Sequence, residues 1–105
     1  MVARVQVPAA ATRGEVIAIR IAIQHPMETG FRYDVMGRPI AKNVINLLVA
    51  RYNGAEIFRA ELGSGIAANP LVQFCTIAEA TGDIEFSWVD DAGVRGTESA
   101  KITVV

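Results

Sequence analysis

Apolar and polar residues alternate along most of this chain with a period of two. A half-buried β-strand produces that pattern because successive side chains leave opposite faces. Glu15 to Ile23 shows it most clearly: Ile17, Ile19, Ile21 and Ile23 fall on one face, and Ala18, Arg20 and Ala22 on the other. In Asp83 to Val89, Ile84, Phe86 and Trp88 alternate against Glu85 and Ser87, so those three are expected to point into a core. Val2 to Val7, Val44 to Tyr52, Ala55 to Leu62, Leu71 to Ile77 and Thr97 to Val104 are further strand candidates, each bounded by turn residues. Asn53-Gly54 is a strong hairpin signal, because a type I′ turn needs positive φ at both central positions. Thr12-Arg13-Gly14 and Asp90-Asp91-Ala92-Gly93 punctuate the chain similarly. About seven short strands with no sustained helical period predict an all-β fold. The expectation is an immunoglobulin-like antiparallel β-sandwich occupying residues 1–105 as one domain.

One interval breaks the alternation. Gln24 to Lys42 holds Pro26, Gly30, Gly37 and Pro39 and follows neither a strand nor a helix period. A connection that long inside a compact domain is usually functional or mobile. Gly63 to Pro70 is a second irregular stretch, in which Asn69-Pro70 favours a turn followed by extended chain. The least ordinary hexapeptide is His25-Pro26-Met27-Glu28-Thr29-Gly30. Pro26 cannot donate to a ladder and should end the Ile-rich strand, and Gly30 permits the positive φ that turns the chain back. One reading makes it a structural corner in which Glu28 or Thr29 bonds to local backbone. The other makes it a presented recognition loop, with Met27 as an adaptable apolar contact and His25 as a polar one. These six residues are the candidate partner-binding residues.

Composition sharpens the choice of partner. Ten basic and eleven acidic residues give a formal net charge of −1, so no charge excess points to a nucleic acid or a membrane surface. Counting Gly and leaving out Tyr, about 58% of the residues are apolar, against roughly 45–50% in ordinary domains. Either a tight Ala-rich core absorbs that excess or another protein covers an apolar face.

Candidate chemistry is sparse. Nucleophilic catalysis needs a nucleophile, a base and a group to orient the base, but the only His is His25 and the only Cys is Cys75. Cys75 sits mid-strand between Phe74 and Thr76, where the expected outcome is a buried, inert thiol; being alone, it forms no internal disulfide. His25, Met27, Met36 and Cys75 are soft or borderline metal ligands, yet one His and one Cys fall short of recurrent ligand spacings. No glycine-rich phosphate cradle is present, and Asp90 and Asp91 are expected to accept backbone hydrogen bonds in a turn. No catalytic, cofactor-binding or metal residue is assigned. No basic segment followed by an apolar run opens the chain, and no stretch of about 18 apolar residues occurs, so no export signal or membrane span is expected.

At several of these residues the sequence resembles the SoxZ family, the smaller subunit of the SoxYZ sulfur carrier of bacterial thiosulfate oxidation. The resemblance lies in His25-Pro26-Met27-Glu28-Thr29-Gly30 after an apolar strand, Gly37-Arg38-Pro39-Ile40, Asn53-Gly54, Asn69-Pro70 and Trp88-Val89-Asp90-Asp91-Ala92-Gly93. It implies an immunoglobulin-like subunit without catalytic residues or cofactor, in a heterodimer with SoxY in the periplasm. It also implies export with a partner that bears the signal, and transient docking to other Sox enzymes. In that family the sulfur intermediates ride on a cysteine in a Gly-Gly-Cys-Gly arm near the SoxY C-terminus. This sequence ends Lys101-Ile102-Thr103-Val104-Val105 without such an arm. Two other classes compete with this reading. One is a stand-alone binding module holding a small ligand or peptide in the Gln24 to Lys42 loop; the other is a sulfurtransferase acting through Cys75.

Overall fold

The computed structural model describes residues 1–105. Eight strands follow one another with no helix: β1 (Ala3–Gln6), β2 (Ala10–Ala11), β3 (Val16–Ile23), β4 (Ile45–Tyr52), β5 (Ala55–Glu61), β6 (Leu71–Ile77), β7 (Gly82–Asp90) and β8 (Arg95–Val104). Seven of these coincide with the segments the alternation predicts. The addition is β2, whose two residues are too few to show any period. It lies parallel to the end of β8, Ala10 opposite Thr103, while every other pairing is antiparallel. The strands form a three-stranded sheet, β1-β3-β6, and a five-stranded sheet, β2-β8-β7-β4-β5. Packed face to face, they make the predicted immunoglobulin-like sandwich.

The core is where the two inner faces meet. Ile17, Ile19, Ile21 and Ile23 of β3 are buried against Ile45, Leu48 and Ala50 of β4, Ile84, Phe86 and Trp88 of β7, and Ile102 of β8. Each large side chain so buried contributes about 1.5–3 kcal/mol. Phe58 of β5 and Phe74 of β6 stack with ring centroids 4.4 Å apart. Because β5 and β6 are the last strands of their sheets, this stack closes one long side of the sandwich. At the β4–β5 turn Asn53 and Gly54 have φ of 48° and 85°, the two positive values a type I′ turn requires.

Cys75 departs from expectation: it is exposed, not packed. Phe74 takes the inward position, and the pleat sends its neighbour out through the opposite face, beside Ala18 of β3. Leu71 and Ile77 point the same outward way and are also exposed. With apolar residues on both faces of β6, alternation alone could not say which face was inside.

The long interval leaves the sandwich from one end. There β3 stops, β4 begins with Ile45 opposite Asp90, and β7 stops. A ten-residue strand spans about 33 Å, whereas the chain measures 58 × 19 × 19 Å along its principal axes. The interval extends the sandwich along its length.

Candidate functional site

The inward alternation of β3 does not stop where the strand does. His25 and Met27 continue the parity of Ile21 and Ile23, and each is only 3% exposed, while Pro26 between them faces solvent. Met27 adopts φ of 51°, and its Sδ accepts the Ile45 amide at 3.3 Å. The Met27 amide donates to His25 Nδ1 at 2.9 Å. That nitrogen therefore keeps its lone pair, and the ring proton sits on Nε2, which donates to Asp90 Oδ2 at 3.1 Å. Asp90 Oδ1 accepts the Val94 amide at 2.9 Å. Burial pushes the Asp90 carboxyl up, but the His25 and Val94 hydrogen bonds together prevail and hold it below the usual aspartate value. Asn69 grips the backbone of the same histidine twice: His25 N–H donates to Asn69 Oδ1 at 3.0 Å, and the Asn69 amide donates to the His25 carbonyl at 2.8 Å.

The returning root of the interval is held by the next residue along. Asp91 Oδ2 accepts the Val44 amide at 3.2 Å, and Oδ1 accepts Asn46 Nδ2 at 2.9 Å. The Asp91 amide donates to the Val44 carbonyl at 3.0 Å, and Lys42 Nζ stands 3.9 Å from the carboxylate. The Asn46 bond, then the Val44 contact, lower the Asp91 carboxyl against a smaller opposing effect of burial. Two consecutive aspartates in one turn thus fasten both roots of one excursion, Asp90 the outgoing strand and Asp91 the incoming one.

Between the roots the chain forms an ordered hairpin arm. Glu28 and Asn43 exchange two backbone hydrogen bonds of 2.8 and 2.9 Å. Gly30, at φ of 89°, lies so near Lys42 that an added Cβ would stand 3.1 Å from the lysine Cβ. Further out, the Ile40 amide donates to the Arg32 carbonyl and the Asp34 amide to the Arg38 carbonyl, both at 2.9 Å. Asp34 Oδ1 fixes the tip by accepting the Met36 amide at 2.8 Å and the Arg38 amide at 3.0 Å. Outside this frame Phe31 is 83%, Tyr33 68% and Met36 71% exposed, and Val35 is entirely exposed. Arg32 pairs with Glu28 at 2.7 Å, while Arg38 has no carboxylate partner.

The hexapeptide is therefore mostly the anchor of this arm. His25 and Met27 are packed into the sandwich, which agrees with the structural-corner reading of these two residues and not with the presented-loop one. Thr29 does bond locally, its hydroxyl accepting the Phe31 amide at 3.2 Å, and Pro26 and Gly30 remain exposed. Asn69-Pro70 and Asp90-Asp91, read from sequence as turn residues, converge on the same anchor. The apolar side chains that reach solvent, Phe31, Tyr33, Val35 and Met36, share no sequence period that groups them as a surface. Their signal was apolar residues in a segment with no core periodicity. None of the four surface cavities is lined by residues 28–43. The largest, about 420 Å³, lies against Arg51, Glu85, Ser87, Thr97, Glu98 and Ser99 on the five-stranded sheet. No three His, Cys, Asp or Glu side chains gather as metal ligands would, and both ring nitrogens of His25 are already engaged.

The family described as "Sulphur oxidation protein SoxZ" matches residues 4–101. No curated protein matches the chain. Among solved structures, the superoxide reductase (neelaredoxin) from Ignicoccus hospitalis aligns with a TM-score of 0.75 at 15% identity, covering 100% of this chain and 81% of that one. The sulfur carrier protein SoxY from Chlorobium limicola f. thiosulfatophilum aligns with a TM-score of 0.64 at 11% identity, covering 98% of this chain and 78% of that one. At such identities these likenesses show the shared fold alone.

Proposed function

The chain belongs to the SoxZ family of sulfur-oxidation proteins, and on that premise we propose that it is the non-catalytic subunit of a heterodimeric sulfur carrier in bacterial thiosulfate oxidation. Its partner is a SoxY-like protein whose C-terminal cysteine bears the sulfur intermediates, and other Sox enzymes dock transiently on the assembled pair. The pair works in the periplasm and is exported on the partner's signal. The observation that carries this reading is the family match from residue 4 to residue 101. The likeness to a SoxY structure adds that the sandwich here is an architecture also found in that carrier protein.

The chain's own chemistry is consistent with a supporting role. A travelling thiol needs a tether, gaining at most about 3.3–3.6 Å of reach per extended residue. Cys75 has none, because it is fixed in the β3–β6 ladder opposite Ala18. The only imidazole is buried and committed to Asp90 and the Met27 amide, so no histidine stands ready to activate a nucleophile. What the chain contributes is a rigid body beside the partner's reactive arm, together with docking surface.

The test is to purify the chain, the SoxY-like protein and the pair, and expose each to thiosulfate with the remaining Sox enzymes. We expect a 1:1 complex, sulfur adducts by intact mass on the partner's C-terminal cysteine only, and no thiosulfate consumption by the chain alone. Turnover by the isolated chain, or an adduct on Cys75, would overturn the reading. Export is checked by periplasmic yield with and without the partner; equal yield alone would refute the shared route.

A further inference from the structure

We propose that the hairpin arm from Glu28 to Asn43 is the element by which this chain grips its carrier partner, inserting Phe31, Tyr33, Val35 and Met36 into an apolar cleft rimmed by carboxylates. The inference rests on the heterodimer reading above and locates the surface that reading needs.

Four observations converge on it. The first is composition: two aromatics, a methionine and a valine stand exposed on one short element, and aromatic residues and Met are the types enriched where interfaces bury their centres. Permanent complexes bury markedly apolar surface, while transient ones stay nearer to ordinary surface polarity. Side chains this apolar and this exposed fit a standing partner better than a visiting enzyme.

The second is preorganisation. The arm carries its own ladder bonds at Glu28–Asn43, Arg32–Ile40 and Asp34–Arg38 and a tip tied by Asp34. Both roots are bolted to the Asp90-Asp91 turn. Little backbone entropy remains to be lost on docking, which is the cost that weakens flexible recognition loops.

The third is charge. Arg32, Arg38 and Lys42 stand against Glu28 and Asp34 on the arm, and Arg38 near the tip has no carboxylate within salt-bridge distance. The recipient surface should supply one.

The fourth is that a second copy of this chain would offer the tip no cleft. The largest cavity this chain offers has Phe86 as its one apolar lining residue. The other three are about 290, 200 and 120 Å³, too small to admit a hairpin tip carrying Tyr, Val and Met. A protruding finger without a matching cleft on its own chain fits a different molecule better than a second copy.

The experiment compares wild type with the double variant Val35→Asp/Met36→Asp, each purified alone and titrated with the SoxY-like partner by calorimetry. Both positions are exposed, so the variant alone should melt within a degree or two of wild type. We expect its affinity for the partner to fall by about 100-fold or more, the scale of lost central anchors. As a second readout that leaves the arm's shape intact, a photo-crosslinking phenylalanine analogue at position 33 should couple this chain to the partner in the assembled complex. Unchanged affinity in the double variant, or crosslinking at position 33 only to another copy of this chain, overturns the inference. If wild type itself fails to bind the SoxY-like protein, the heterodimer reading falls first, and the arm assignment with it.

Discussion

Replacing Asp90 with alanine removes the acceptor that satisfies the buried His25 Nε2–H and the Val94 amide together. The two losses are unequal. Val94 is half exposed, so water can replace its lost partner at small cost. His25 is buried, and its stranded donor costs about 1–3 kcal/mol on top of the lost bond to a charged acceptor. We place the sum at about 3 kcal/mol, a large share of the ~5–15 kcal/mol by which small domains are stable. At about 4–8 °C per kcal/mol the melting temperature should fall by roughly 12–24 °C. Trp88 is the only tryptophan and is buried in the core, so its fluorescence in urea melts follows the transition directly. The decisive comparison adds His25→Ala and the double variant. Because the two side chains act on each other, the double variant should be less destabilised than the two singles added together, by about 1–3 kcal/mol. A loss under about 0.5 kcal/mol for Asp90→Ala, or strict additivity in the cycle, would refute the anchoring role assigned to this pair.

Acid should act on the same anchor. Asp90 and Asp91 are both held below the ordinary aspartate value in the folded chain, so the unfolded chain binds more protons near pH 4 and stability rises with pH there. Their contribution is complete above about pH 5 and is lost as pH falls through the folded values. Asp90→Asn should therefore flatten the acid limb of stability against pH, and an unchanged slope would sink the assignment. Cys75→Ser, at an exposed position, should change stability by no more than about 0.5 kcal/mol and leave sulfur loading of the pair intact. Loss of loading in a folded complex would instead make this thiol a carrier.

Strand positions were legible because one face of each strand is buried and the other is not. Ile17 through Ile23 and Ile84 through Trp88 alternate without ambiguity, and they form the core. Legibility failed where both faces are apolar, as at Cys75, and where a strand's parity outlives its ladder. Alternation from Ile17 to Ile23 runs on to His25 and Met27, but Pro26 reads as a break, so the two residues looked like a loop rather than a continuation of the core. The arm beyond them was legible only as an interruption. Its ladder is made of backbone bonds at exposed or half-buried positions, which leave no period in the sequence, and the aspartates that hold it lie far along the chain.

That distance bears on the order of folding. His25 and Asp90 are 65 positions apart, and Val44 and Asp91 are 47 apart, so closing these contacts carries a loop-closure cost that local hairpins such as β4–β5 do not. The arm can be bolted down only after the end of β7 has come beside β4, Asp90 opposite Ile45. Interactions that form this late mainly retard unfolding and scarcely alter the folding rate, so stopped-flow measurements on Asp90→Ala should show a faster unfolding limb and a nearly unchanged refolding limb. A half-folded chain then carries a loose arm, and a partner that grips the arm selects finished subunits over unfinished ones.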